Sequence, residues 1–70
     1  MWGGGENMYK RLKELRKNKK YNQTEIANIL NITQSNYARI EKGIQDLSTI
    51  QLIKLAKLYE VETDYILELK

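Results

Sequence analysis

The sequence lacks several residue types on which protein chemistry often depends. Its 70 residues contain no Cys, no His and no Pro. Without Cys and His there is no disulfide, no usual zinc ligand set, and no thiol or imidazole for catalysis. Three of the four Gly residues form one run at positions 3–5. Because few residues interrupt a helix and no segment alternates apolar with polar residues, we expect a mostly helical chain.

Long apolar runs are also missing. No run approaches the ~20 residues needed to cross a bilayer, and no secretory signal is visible, so we expect a cytoplasmic protein with no membrane partner. A chain of this length holds one domain, near the lower size limit for a single core. We interpret residues 1–7 as an artificial linker or a disordered N-terminus and residues 8–70 as the folded domain. No sensor domain is recognisable, so we expect no direct small-ligand control within this chain.

Charge is distributed unevenly along the sequence. The net charge is +3, with +5 in residues 1–42 and −2 in residues 43–70. A basic region beside an acidic one is typical of a protein that presents one face to a polyanion. Ordinary solvated charge is the alternative.

Apolar spacing and capping residues predict five helices. Asn22 with Glu25 and Ser48 with Gln51 have the spacing of capping boxes, in which each pair satisfies the free N–H groups at a helix start. Asn31 follows the second helix, where a left-handed residue is convenient. The expected helices cover residues 8–18, 22–30, 33–42 and 48–59, with a fifth beginning near residue 63.

The stretch from residue 22 to residue 40 contains two short helical patterns that meet across a three-residue break. Apolar residues bury one face of each helix and fix the angle between them. The remaining face of the second helix carries Gln34, Ser35, Ala38 and Arg39. These side chains are small, hydrogen-bonding or basic, which suits a helix that enters a DNA major groove and contacts base edges. We interpret this stretch as a helix-turn-helix.

An ordered set of residues across this stretch resembles a known family. The set is Gln23-x-x-Ile26-Ala27-x-x-Leu30-Asn31-Ile32-Thr33-Gln34-Ser35-x-Tyr37-x-Arg39-Ile40-Glu41-Lys42-Gly43. It resembles the Cro/C1-type (XRE-like) helix-turn-helix family of phage repressors and bacterial regulators, and the resemblance extends through residues 12–17, 52–59 and 61–67. It implies an all-α, five-helix, lambda-repressor-like bundle with the helix-turn-helix at helices 2 and 3 and with helix 3 as the recognition helix.

The resemblance also implies roles for individual residues on double-stranded DNA. The base-reading positions are Gln34, Ser35 and Arg39. The phosphate-binding positions are Asn22, Gln23, Thr33, Asn36 and Lys42. Arg16 and Glu41 match a structural ion pair that links helix 1 to the end of helix 3. No metal, cofactor or catalytic residue is implied.

Each of these assignments has a plainer alternative. Arg39 could pair with O6 and N7 of a guanine, or it could be a solvated surface residue. Gln34 could pair with adenine or contact a phosphate, or it could be a polar first-turn residue. Four positions depart from the family pattern: Asn31 and Lys20 stand where Gly is common, Leu47 stands where Pro is common, and Tyr37 is larger than the usual Ile or Val. We therefore expect the edge of the Tyr37 ring to be partly exposed.

A second group of side chains could form an apolar surface near the C-terminus. The group consists of Ile50, Ile53, Tyr65 and Leu69. If they converge, they form a patch that so small a monomer would cover. The family often dimerises through this end, so we expect a homodimer interface here. The alternative is that the last helix folds back and covers the isoleucines.

The favoured hypothesis is a sequence-specific transcriptional regulator, a repressor, that binds a pseudo-palindromic operator as a homodimer. An antitoxin that covers a toxin protein with its C-terminal helices is the second hypothesis. An enzyme is the third and weakest, because the acidic residues are scattered and no phosphate-binding Gly-rich loop is present.

Overall fold

The structure is a computed structural model that describes residues 9–68. Within these residues the chain forms five helices and no strand, which confirms the all-α five-helix prediction. The helices are α1 (Lys10–Asn18), α2 (Gln23–Leu30), α3 (Gln34–Glu41), α4 (Thr49–Tyr59) and α5 (Thr63–Ile66). The predicted N-terminal segment 1–7, the predicted helix start at Met8 and the apolar Leu69 lie outside the described residues.

Side-chain caps define where α2 and α4 begin. The Asn22 side chain accepts a hydrogen bond from the Glu25 backbone N–H at 2.8 Å, and the Glu25 carboxylate accepts from the Asn22 N–H at 2.8 Å. Ser48 and Gln51 form the same reciprocal pair at 3.1 and 2.9 Å. Both predicted capping boxes are therefore confirmed. Each satisfies two backbone donors that a helix start would otherwise leave without partners.

The turn between α2 and α3 fixes the helix-turn-helix. Asn31 is left-handed, with φ 61° and ψ 42°, as predicted. The Ile32 N–H donates to the Ala27 carbonyl at 2.9 Å, which closes the end of α2. Thr33 then caps α3 by accepting from the Asn36 N–H at 3.1 Å. These contacts bring α2 and α3 into direct packing, so the two helices form one unit.

The core lies between this unit and the flanking helices. Its completely enclosed side chains are Leu12, Ile26, Tyr37, Ile40, Leu55 and Ile66. The expectation that the edge of the Tyr37 ring is exposed is wrong, because α3 packs against α1 as well as α2 and encloses the ring. The larger side chain therefore fills the centre of the bundle.

The C-terminal end is less enclosed than the core. The fifth helix is a single turn of four residues, and only its Ile66 is buried. Ile50 and Ile53 remain 68% and 43% exposed, so the alternative in which the last helix covers them is not seen within residues 9–68. In the same part of the chain, no helix is long and apolar enough to span a membrane.

Candidate nucleic-acid interface

Helix α3 presents one buried face and one exposed polar face. Tyr37 and Ile40 point into the core, whereas Gln34, Ser35 and Arg39 are exposed. This division follows from helical spacing, since residues three and four apart share a face. The three predicted base-reading positions therefore lie on one solvent-facing surface. The structure brings them together without any contribution from a loop.

Four of the five predicted phosphate-binding residues lie at the starts of α2 and α3, and the fifth, Lys42, follows the end of α3. Asn22, Thr33 and Lys42 are exposed, and Gln23 and Asn36 are half-buried. The caps use the Asn22 side-chain oxygen Oδ1 and the Thr33 hydroxyl oxygen Oγ1 as acceptors. This leaves the Asn22 amide N–H₂ and the Thr33 O–H as donors, which is the group that a phosphate oxygen requires.

A chain of side-chain hydrogen bonds joins the two helix starts to the interior. The Gln34 amide nitrogen donates to the Gln23 amide oxygen at 2.7 Å, and the Gln23 amide nitrogen donates to Glu41 Oε1 at 3.1 Å. Each bond fixes the orientation of the amide before it. The free oxygen of Gln34 is consequently held at the surface of α3. We name Gln34, Gln23, Glu41 and Arg16 the glutamine relay.

The glutamine relay ends on a buried ion pair. Arg16 donates from Nε to Glu41 Oε2 at 2.7 Å and from a terminal nitrogen to Oε1 at 3.2 Å, with the side chains only 10% and 5% exposed. A further Arg16 N–H donates to the Tyr21 carbonyl at 3.1 Å. A bidentate pair of this kind holds the end of α3 against α1 and the turn that follows it.

The electrostatics of the pair follow from its partners. The hydrogen bond to Glu41 raises the pKa of Arg16. Burial alone would raise the pKa of Glu41, but the hydrogen bonds from Arg16 and Gln23 and the adjacent Tyr37 hydroxyl together lower it below its ordinary value. Burial, reinforced by the Glu41 carboxylate, raises the pKa of Tyr37. Glu41 is therefore ionised at neutral pH and serves as an anchor for α3.

The apolar residues near the C-terminus form a different kind of surface. Ile50, Ile53 and Tyr65 are exposed, as the dimer hypothesis requires. Tyr65 has a partner within the chain: the Arg11 guanidinium lies 4.3 Å from the ring centroid and donates to the Tyr65 carbonyl at 2.8 Å. Further large apolar side chains that the sequence reasoning did not single out are also exposed, namely Ile29, Ile44 and Leu67.

Sequence reasoning named the Arg16–Glu41 pair but missed the two glutamine bonds of the relay and the Arg11–Tyr65 contact. Gln23 and Gln34 had been assigned separate contacts with DNA, and nothing in their spacing of 11 residues indicates that they bond to each other. Both contacts depend on long side chains from elements distant in sequence. Only the packing angle between the elements, which a residue pattern does not specify, brings these side chains within reach.

Comparison with known proteins agrees with this geometry. Residues 12–66 match a family model described as helix-turn-helix. Over 58 residues the chain is 47% identical to a protein of Bacillus subtilis (strain 168) named HTH-type transcriptional regulator ImmR. The match covers 83% of this chain and 46% of that protein, so the chain spans about half the length of this curated relative.

Proposed function

The chain belongs to the Cro/C1-type helix-turn-helix family, and from this premise we propose that it is a cytoplasmic, sequence-specific DNA-binding regulator of transcription. In this proposal it acts as a repressor and binds a pseudo-palindromic operator as a homodimer. Helix α3 of each protomer enters a major groove, and the two half-sites lie about one helical turn, ~34 Å, apart.

One observation carries the proposal: the exposed polar face of α3 is anchored from behind by the glutamine relay. A side chain that reads a base edge must arrive in a fixed orientation, because each bidentate pair discriminates by only about 1–3 kcal/mol. The bond from Gln34 to Gln23 restricts the Gln34 amide before DNA arrives. Arg39, one helical turn from Ser35 on the same face, supplies the guanidinium that suits a guanine.

Phosphate contacts would set the register of α3 in the groove. The exposed donors of Asn22 and Thr33 flank the relay at the starts of α2 and α3, and Lys42 follows the end of α3. Gln23 would contribute its second amide hydrogen. Such contacts carry no sequence information, but they supply much of the affinity and make it depend steeply on salt.

The homodimer is supported by the exposed isoleucines. Ile50 is 68% exposed and Ile53 is 43% exposed, on a helix otherwise packed into the core. Exposing large aliphatic side chains to water is unfavourable. A second copy of the same patch would cover them through a two-fold interface. Tyr65 would extend the interface along α5. Leu69 remains part of the hypothesis as a prediction from the sequence.

The same exposed isoleucines also favour a second candidate, an antitoxin-like module that covers a toxin protein with α4 and α5. Here DNA binding would be autoregulatory. Light scattering of the purified chain separates the two candidates. A stable homodimer supports the regulator, whereas a monomer that co-purifies with a small nuclease-like protein supports the module.

The test of DNA reading is selection of duplexes from a random pool at ~0.15 M salt, where weak phosphate-only binding is suppressed. Three proteins are compared: the wild type, the Arg39→Ala variant and, as a control with the same loss of charge, the Lys10→Ala variant at an exposed position of α1. We expect the wild type and Lys10→Ala to enrich one two-fold symmetric motif and Arg39→Ala to lose one position of it. No enrichment by a folded wild type would refute the regulator.

A further inference from the structure

Within residues 9–68, four helices end in the same complete backbone motif, and the residue at its strained position differs each time. After α1, the Tyr21 N–H donates to the Arg16 carbonyl and the Lys20 N–H donates to the Lys17 carbonyl, both at 3.0 Å. This pair of backbone hydrogen bonds defines the Schellman motif, which places one residue in the left-handed region. The left-handed residues after α1, α2, α3 and α4 are Lys20, Asn31, Gly43 and Glu60.

Only two of the four residues suit the backbone that they adopt. Glycine has no Cβ and accepts a positive φ without strain, and asparagine is the best tolerated of the others. Lys20, with φ 63°, and Glu60, with φ 57°, have no such advantage. Glycine would be less strained at both positions. The charge of the side chain is therefore the property that distinguishes each of them from the residue the backbone favours.

Lys20 stands beside the surface that we assign to DNA. It precedes Tyr21, whose carbonyl is bonded to Arg16 of the glutamine relay, and it lies three residues before Gln23. Three peptide units place the Lys20 and Gln23 Cα atoms at most ~11 Å apart. Phosphates of one DNA strand follow each other about every 3.4 Å along the axis, so a backbone that reaches Gln23 also passes within reach of a lysine this close.

The side chain of Lys20 is available for such a contact. It is exposed, and it forms no ion pair among residues 9–68. The neighbouring Lys17 and Lys19 are exposed as well, and no carboxylate stands between residues 15 and 24 to neutralise them. The turn from α1 to α2 thus carries concentrated positive charge where the path of a DNA backbone would meet the protein.

We propose that Lys20 is a DNA-phosphate contact, kept at a left-handed position that glycine would occupy with less strain because its ammonium neutralises a phosphate beside the start of α2. This inference rests on the proposed DNA-binding function. It adds a contact outside the two helices of the helix-turn-helix. It also requires that Lys20 lower the stability of the fold and raise the affinity for DNA, and these two effects can be measured separately.

The test compares four variants of the full chain: Lys20→Gly, Lys20→Gln, Lys20→Arg and, as the matched control, Glu60→Gly at the same motif after α4. Melting temperature is measured by circular dichroism. The Kd is measured from about 0.05 to about 0.2 M salt on the duplex that the wild type selects and on an unrelated duplex of equal length.

We expect Lys20→Gly to melt a few degrees higher than the wild type and yet to bind more weakly. The loss of one phosphate contact reduces the slope of log K against log salt by about 0.9 for each bound protomer, which weakens binding at ~0.15 M salt by about fivefold per protomer and about 30-fold for a dimer. The variant should lose affinity equally for both duplexes, because a phosphate carries no sequence information. Glu60→Gly should show the same increase in melting temperature as Lys20→Gly, with no loss of affinity for DNA.

The two remaining variants separate charge from backbone. Lys20→Gln keeps the strain and loses the charge, so it should bind as weakly as Lys20→Gly without melting higher. Lys20→Arg should bind like the wild type. If Lys20→Gly keeps the wild-type Kd and salt slope on a duplex that the wild type does select, the inference fails and the proposed function stands. If the folded wild type selects no duplex, both fail.

Discussion

Helices α3 and α4 are built alike and present opposite chemistry to solvent. Each begins at a hydroxyl cap, Thr33 or Ser48, and each is closed by a left-handed residue. The exposed face of α3 is polar and basic, whereas the exposed face near the start of α4 carries two isoleucines. The backbone of the fold therefore begins and ends these two helices in the same way. We propose a nucleic acid as the partner of one helix and an apolar protein surface as the partner of the other because of these exposed side chains alone.

The two regions also differ in how they are anchored. α3 is held from behind by the buried Arg16–Glu41 pair, with side chains 10% and 5% exposed. α5, which borders α4, is held to α1 through the Arg11 guanidinium over the more exposed Tyr65 ring. Removing one partner of a buried ion pair lowers the stability of the folded protein strongly, whereas removing one partner of an exposed contact lowers it little. Substitutions at the two anchors should therefore have very different effects.

The largest effect should come from Glu41→Ala. The substitution leaves the Arg16 charge buried without its partner and removes the acceptor that Gln23 uses, so the free energy of unfolding should fall by about 3 kcal/mol or more. Urea denaturation followed by circular dichroism measures the change. Glu14→Ala, on the exposed face of α1, should change stability by less than about 0.5 kcal/mol. Equal small losses in both variants would contradict the anchoring role of the pair.

The same carboxylate should make stability depend on pH. The folded protein lowers the pKa of Glu41 from its reference value of 4.5. Its contribution to stability is therefore complete above about pH 4.5 and is lost as the pH falls through the lower, folded-state value. Urea midpoints measured at a series of acidic pH values should show this loss for the wild type. In Glu41→Gln this part of the dependence should be absent; a profile identical to that of the wild type would assign it to other groups.

The next effect concerns the apolar face. Ile50→Asp places a charge in the proposed dimer interface at an exposed position in the first turn of α4, where the helix dipole favours a carboxylate. We expect a folded monomer by light scattering and a loss of roughly 100-fold in affinity for a duplex with two half-sites. Ile50→Leu should keep the dimer. If the Ile50→Asp variant is still a dimer, the dimer interface does not include Ile50.

A smaller effect is expected on the polar face. Arg39→Ala should weaken binding to the selected duplex by about 1–3 kcal/mol and relax the preference at one base pair, because one base contact is lost. Lys42→Ala should weaken binding to all duplexes alike and reduce the slope of log K against log salt by about 1 per bound protomer. Competition binding with single-base variants of the duplex distinguishes the two patterns. Identical profiles for the two variants would remove the base-reading role from Arg39.

The smallest effect should come from the surface anchor of α5. Arg11→Ala removes a cation–π contact and one hydrogen bond at an exposed site, so stability should fall by about 0.5–1 kcal/mol. Amide hydrogen exchange should show the loss mainly in residues 63–66, with α3 unaffected. Exchange that increases throughout the chain would show that α5 is as deeply coupled to the core as α3.

The sequence predicted most of what is local in this fold and little of what joins distant elements. The capping boxes at Asn22 and Ser48 and the left-handed Asn31 follow from side chains that bond within three residues of themselves. Tyr37 was misjudged because its burial depends on how closely α3 approaches α1. The bond between Gln23 and Gln34 was missed for the same reason. The exposed face of α3 was predictable because helical spacing alone defines it.

The central claim, that α3 meets DNA while α4 and α5 meet protein, is tested most directly by amide chemical-shift mapping. Labelled protein is titrated with its selected duplex, and separately diluted without DNA. We predict that DNA shifts the amides at the starts of α2 and α3 and along α3, and that dilution shifts those around Ile50, Ile53 and Tyr65. Shifts from DNA that fall on α4 and α5 and leave α3 unchanged would contradict the claim.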